Sequence, residues 1–289
     1  MDKIKEGRRG RRRGRKNKRN RGRRGRRGRV IKILIVGNFT IDLISEKEQI
    51  GGPPLYSGFA IYKLGGEAYI LSVLGKDFSH QIPNFLRIYK IIDDNNTVKF
   101  KHLFQNNSRK LILLSKTNNK INFKSLVINN YFDGILINPV CNEVNLENIN
   151  VNVPIAVDIQ GFIRTCKINE EISYSSTSLP PNPLYTVFHS NIEELNSSGL
   201  SVEDLFKLGF KELLISYDEE GFELYTINNR KYFKPTQIGA YRTGTGDILL
   251  ASYFYYRLNN LDPIGSAIKA KELVEWFSNL GYQELLHIM

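Results

Sequence analysis

The sequence predicts an α/β protein: a doubly wound, mostly parallel sheet flanked by helices, with a small antiparallel β excursion. Three observations carry that prediction. Short, nearly continuous apolar runs recur along the chain, as in strands buried on both faces of a parallel sheet. Each run ends in polar residues. The stretches between them are mostly helix-like or polar, the alternation of βαβ units.

The chain has 289 residues and 41% hydrophobic content, enough for a sizeable core in one large or two small domains. Its formal charge of +12 resides in one place. Residues 1–29 hold 17 Lys and Arg against Asp2 and Glu6, whereas the remainder carries 24 basic and 27 acidic residues. This Gly-Arg-Lys segment has no aromatic residue and almost nothing apolar, so it is expected to be disordered. It could be an arm that contacts nucleic-acid phosphates or a membrane surface. Purine-rich upstream sequence translated ahead of a start at Val30 is the preferred account, and a nucleic-acid partner is expected only if the segment is real. Cys141 and Cys166 form no C-x-x-C pair, so neither a disulfide framework nor a thiolate metal site is expected. With no apolar run long enough to span a bilayer and no cleavage signal, the expectation is a soluble cytoplasmic protein without a membrane partner.

From Val30 the elements follow in order. Val30–Gly37 reads as a buried strand, and Asp42, in the polar cluster beyond it, lies where open α/β sheets bind ligands; it is a candidate for substrate hydroxyls or a solvated loop acid. Gly51-Gly52-Pro53-Pro54 leads into a helix over 55–64, with the prolines in the first turn, and Gly65-Gly66 ends it. Residues 67–74 form another strand. Residues 97–104 and 109–116 read as two strands of an antiparallel excursion, which could serve as a lid or a dimer contact. Strands are then expected over 134–138, 153–158, 184–188 and 212–216, ending at Asn138, at Asp158 to Gly161, at His189 to Asn191 and at Ser216 to Asp218. That arrangement puts the chemistry along one edge of the sheet.

Thr243-Gly244-Thr245-Gly246-Asp247, followed directly by an apolar helical run, is the strongest chemical signal. Two glycines around a small hydroxyl residue let backbone N–H groups converge at a helix N-terminus, a seat for phosphate. Asp247 has the wrong sign for holding phosphate and the right group for taking a proton from an attacking hydroxyl. An N-cap and a plain turn are the alternative. Asn191 and Glu194 could share a hydrated Mg²⁺ or form a helix cap, and the residues by themselves favour the cap. Asp158, Gln160 and Arg164 suit polyol hydroxyls or a charged substrate group, with a salt-bridged loop as the alternative. His80, His102, His189 and His287 show no metal-ligand spacing and no link to a serine nucleophile, and no chemistry is assigned to them.

Taken in order, these features resemble the ribokinase (PfkB) family of carbohydrate and nucleoside kinases from Val30 to the C-terminus. Gly37 to Asp42 is similar to the family's opening strand and substrate-side aspartate. Gly51-Gly52, Leu64-Gly65 and Gly75-Lys76-Asp77 resemble its N-terminal signature, and Asn191 with Glu194 resembles its N-x-x-E motif. Ser216 to Gly221 stands where T-x-G-x-x-G occurs near the nucleotide, and Thr243 to Asp247 fits the last five positions of D-T-x-G-A-G-D. Tyr241, Arg242, Thr245 and Asp218 depart from those signatures, and Tyr56 stands where many sugar kinases have a substrate-binding asparagine. Asp158 to Arg164 is more similar to the inositol-kinase-like branch.

The resemblance implies a ribokinase-like kinase domain over 30–289, with lid strands around 40–50 and 97–116. It implies transfer of the ATP γ-phosphoryl group to a hydroxyl of a small polyol, sugar or inositol. Nucleoside phosphorylation and a non-catalytic nucleotide- or RNA-binding role are the alternatives. Asp247 would be the base and Gly244, Thr245 and Gly246 the anion-stabilising turn. Asp42, Gly51, Gly52, Tyr56, Gln160 and Arg164 would bind substrate, Ser216, Gly221, Thr243 and Asn191 the ATP, and Asn191 and Glu194 the Mg²⁺. A homodimer through the lid is a further implication.

Overall fold

The structure is a computed structural model and describes residues 29–105, 108–125, 128 and 131–289. The basic segment therefore lies outside the described residues except for Arg29, whose guanidinium pairs with Asp133. The chain begins with β1 (Lys32–Val36), β2 (Thr40–Ile44), β3 (Lys47–Gly51), α1 (Pro53–Lys63), β4 (Glu67–Gly75), β5 (Leu86–Asp94), β6 (Val98–Gln105) and β7 (Ser108–Ser115). A middle stretch holds β8 (Ile121–Asn122), β9 (Gly134–Ile137), β10 (Val144–Asn145), β11 (Ile155–Asp158), α2 (Gln160–Ile163), β12 (Arg164–Thr165) and β13 (Ser173–Tyr174). Then follow β14 (Tyr185–Asn191), α3 (Ile192–Ser198), α4 (Val202–Lys207), β15 (Glu212–Ser216), β16 (Phe222–Thr226), β17 (Asn229–Phe233), α5 (Thr245–Leu258), α6 (Pro263–Trp276) and α7 (Tyr282–Ile288).

Nine strands form the main sheet in the order β17-β16-β15-β14-β11-β9-β1-β4-β5. All neighbours pair parallel except β15 with β16 and β16 with β17. Ile33 and Ile35 of β1 enter one core with α1, α5 and α6, while Leu34 and Val36 enter a second core on the opposite face. Burial on both faces is why these strands read as continuous apolar runs rather than alternating ones. Parallel pairing aligns the C-terminal ends of β9, β11, β14 and β15 along one edge.

A second sheet has the order β3-β2-β6-β7, antiparallel except for β2 with β6. It contains both segments expected to leave the main sheet. Among the described residues no helix is long and apolar enough to cross a membrane. Strands β5, β16 and β17 are among the elements that escaped the sequence reading. Edge strand β5 is largely exposed through its middle, so it carries no apolar run, and the β16–β17 hairpin is only partly buried. Between β9 and β11 the doubly wound rhythm also breaks, because that connection contains no helix.

The cysteines correct a sequence expectation: Cys141 and Cys166 form a disulfide, with their Cα atoms 5.8 Å apart. Local spacing could not reveal it, since the two residues meet only when the loops after β9 and β11 pack together. Gly161 lies against Pro139 and Val140 there, and Asn142 Nδ2 donates to the Arg164 carbonyl at 3.0 Å. Closing a loop of this size restricts the unfolded chain by an amount worth about 3 kcal/mol. Replacing Cys141 by Ser is therefore expected to lower stability by about that much in oxidising buffer. Denaturant midpoints should then converge with wild type in dithiothreitol, and an equal gap in both buffers would trace the cost to packing instead.

Candidate active site

The ends of β11, β14 and β15 and the start of α5 line one cavity of about 930 Å³. Asp247 lies in the first turn of α5, whose N-cap is Gly244 at φ 79°. That left-handed conformation costs little only for glycine. It brings the backbone of Gly244, Thr245 and Gly246 onto the cavity wall next to the Asp247 carboxylate.

Asp247 is held by a line of side-chain hydrogen bonds that starts at a cation. Arg164 Nη2 donates to Gln160 Oε1 at 2.8 Å, Gln160 Nε2 donates to Asn138 Oδ1 at 2.7 Å, and Asn138 Nδ2 donates to Asp247 Oδ1 at 2.7 Å. Each amide uses its carbonyl and its NH₂ in one direction, so the line is oriented end to end. Asn138 marks a strand end in the sequence, yet its role depends on Gln160 and Asp247, which local spacing does not connect. Burial and then the charge of Asp158 push the Asp247 carboxyl up to about 7, against the Asn138 hydrogen bond and the charges of His189 and Arg164.

A second line crosses the same floor. Asp158 Oδ2 lies 2.6 Å from His189 Nδ1, and His189 Nε2 lies 2.9 Å from Ser216 Oγ. Burial alone would depress the His189 pKa, but Asp158, followed by Glu194 and Asp247, raises it above its ordinary value. His189 thus has a hydrogen-bond link to a serine hydroxyl that the sequence reading did not assign it. The signal was present in the sequence: Asp158, His189 and Ser216 each lie at or near the C-terminal end of consecutive apolar strands. Parallel strands set such ends side by side.

Asn191 and Glu194 do form the cap. The Glu194 N–H donates to Asn191 Oδ1 at 2.7 Å, and the Asn191 N–H donates to Glu194 Oε2 at 2.9 Å. Both residues also line the cavity. Burial, then Asp158, pushes Glu194 up to about 7. Among the described residues no group of three or more His, Cys, Asp or Glu is arranged to hold a metal ion. A Mg²⁺ that keeps most of its waters needs only one or two carboxylates, and Glu194, which gives only Oε2 to the cap, suits that demand.

Gln160, Arg164, Asn191, Glu194, Ser216, Gly221 and the Gly244–Asp247 turn thus share the cavity wall. Thr243 does not line it. Asp42, Gly51, Gly52 and Tyr56 lie in a packed cluster beside it instead. Asp42 is 4% exposed and accepts from Thr40 Oγ1 at 2.9 Å, with His102 3.5 Å away. A Cβ on Gly51 would stand 2.2 Å from the Asp42 carboxylate, and one on Gly52 2.4 Å from the Asn38 carbonyl. Tyr56 is 2% exposed, and its hydroxyl meets that of Tyr241 at 2.9 Å. Of the cations on the wall, Arg242 pairs with Glu219 and Lys271 with Glu275. The buried Arg164 Nε has no hydrogen-bond partner.

No protein-family model and no curated protein matches the chain by sequence. Solved structures match it in shape. A pyrophosphate-dependent kinase in the ribokinase family, complexed with a pyrophosphate analog and myo-inositol, is 16% identical, with 89% of this chain and 100% of that one covered at a TM-score of 0.69. Ribokinase from Thermotoga maritima is 17% identical, with 89% and 96% covered at 0.63. The nucleoside kinase of Methanocaldococcus jannaschii, a member of the same family, is 15% identical, with 90% and 98% covered at 0.64. At these identities the likeness is one of architecture, and the chain has the ribokinase-like α/β fold.

Proposed function

We propose that the protein is a small-molecule kinase, moving the terminal phosphoryl group of a polyphosphate donor to a hydroxyl of a small polyol, sugar or inositol. The observation that carries this reading is Asp247, a partly buried carboxylate oriented by Asn138 and raised to about 7, at a glycine-lined helix N-terminus. A base with a pKa near the working pH combines availability with driving force. Asp247 accepts the acceptor's hydroxyl proton at its carboxylate as the oxygen attacks. The N–H groups of Gly244 and Gly246 stabilise charge on the transferring oxygens, the Thr245 N–H being given to the Arg242 carbonyl, and Arg164, at the head of the hydrogen-bonded line, adds positive charge to the same cavity. Mg²⁺, held through waters by Asn191 and Glu194, would neutralise the donor's phosphate charge. Gln160 and Arg164 position the acceptor, and the second sheet helps to exclude water from a donor that would otherwise be hydrolysed.

ATP is the donor favoured by the resemblance of Ser216 to Gly221, and of Thr243 to Asp247, to nucleotide-binding signatures. Pyrophosphate is the second reading, favoured by likeness to the pyrophosphate-dependent kinase. A panel of myo-inositol, sugars and nucleosides, each offered with ATP and with pyrophosphate in the presence of Mg²⁺, tests the proposal. The expected result is turnover with one donor. kcat/KM should fall about tenfold per pH unit below an apparent pKa near 7. Protonation of Asp247 removes the base, so the loss lies on the acid side. No turnover with any pair would sink the kinase reading.

A further inference from the structure

We infer that His189, pinned by Asp158, is a positioning residue that fixes the Ser216 hydroxyl as a contact for the phosphoryl donor; this rests on the kinase reading above. Three strand ends make the arrangement. Asp158 of β11 and His189 of β14 are register partners across neighbouring parallel strands, and Ser216 ends β15, the next strand over. The Asp158 carboxylate sits 2.6 Å from Nδ1, and the other ring nitrogen faces Ser216 Oγ at 2.9 Å. A serine hydroxyl offers one donor and two acceptor positions. Whichever partner donates across the 2.9 Å contact, one position is taken by the ring, and the hydroxyl can no longer rotate freely. Ser216 lines the cavity together with Gly244, Thr245 and Gly246, so its remaining positions serve a bound ligand.

The ring itself has little room to move. His189 is 4% exposed, and a Cβ on Gly246 would stand 3.0 Å from its Cε1. The imidazole therefore supports the phosphate-seating turn from below while it holds Ser216 from the side. Asp158 is fixed in turn, because its other oxygen accepts from the Gln160 N–H at 2.9 Å. A hydroxyl already oriented before binding loses less rotational freedom when the donor arrives.

The test is a calorimetric titration of the whole chain, with Mg²⁺, using methylenediphosphonate and the β,γ-imido analogue of ATP. Ser216→Ala is expected to weaken the analogue that wild type binds by about tenfold, as for one lost hydrogen bond to a charged group. His189→Ala should weaken it by a similar factor, and Ser216→Thr should retain affinity. The double variant should bind within about twofold of Ser216→Ala alone, because a residue acting through another gives non-additive losses. His189→Gln replaces the alanine variant if that one melts before the titration temperature. Additive losses, or full affinity in a folded His189 variant, would overturn the assignment while leaving the kinase reading intact. Binding of neither analogue by wild type would overturn both.

Discussion

Asp247→Asn is expected to lower kcat by about 10³-fold, within the range for loss of a general base, and to leave donor affinity within about threefold. The side chains match in shape, and an asparagine Oδ1 can still accept from Asn138 Nδ2, now 2.7 Å from the carboxylate. What disappears is the proton acceptor. Steady-state turnover with the donor and acceptor identified by the panel checks the first part, and analogue titration the second. A loss below tenfold would mean that another group takes the proton. The same variant should also be more stable at pH 8. Burial, with the charge of Asp158, raises the Asp247 carboxyl from its ordinary range to about 7, so the folded state disfavours the charge. That cost grows as pH rises from about 4 to about 7 and is constant above, where both states are ionised. Removing the charge is expected to raise Tm at pH 8 by roughly 3 °C, the shift produced by about 1 kcal/mol in a domain of this size. The gain should vanish toward pH 4. Lower activity together with higher stability marks a charge kept for chemistry rather than for folding.

The parts of the fold and site that could be read from sequence are those encoded locally. The strands ending at Asn138, Asp158, Asn191 and Ser216 were legible because burial on both faces leaves continuous apolar runs. The turn at Gly244 to Asp247 was legible because glycine spacing before a helix is itself the feature. What escaped depends on meetings between distant residues. Asn138, Gln160 and Arg164 form one line only because the loops after β9 and β11 pack together, and the Cys141–Cys166 disulfide marks the same juncture. Asn191 and Glu194 show a different limit. The sequence offered a cap and a ligand pair as alternatives, and the folded residues form the cap while their side chains still reach the cavity.

Gly244→Ala is expected to lower kcat by about 10²-fold, as a displacement of about 1 Å can, and stability by about 3 kcal/mol. Two causes add. At φ 79° an alanine pays about 1–2 kcal/mol for its left-handed backbone. Its Cβ would also stand 2.3 Å from Cγ of Tyr56, and such overpacking typically costs about 1–3 kcal/mol. Tyr56 cannot easily yield, because its hydroxyl meets Tyr241 at 2.9 Å and its ring packs edge-on against Phe277 at 6.2 Å. The turn must move instead, and Asp247, three residues on, moves with it, away from Asn138. Gly65 supplies the control. It has φ +81°, but a Cβ there meets nothing within 4 Å, so Gly65→Ala carries the backbone cost alone and should leave kcat unchanged. Thermal melts and turnover of both variants separate the terms: the stability difference measures the Tyr56 contact, and the kcat difference measures how closely that contact sets the Gly244–Asp247 turn. Equal losses in the two variants would show that Tyr56 yields and that the turn is held from elsewhere.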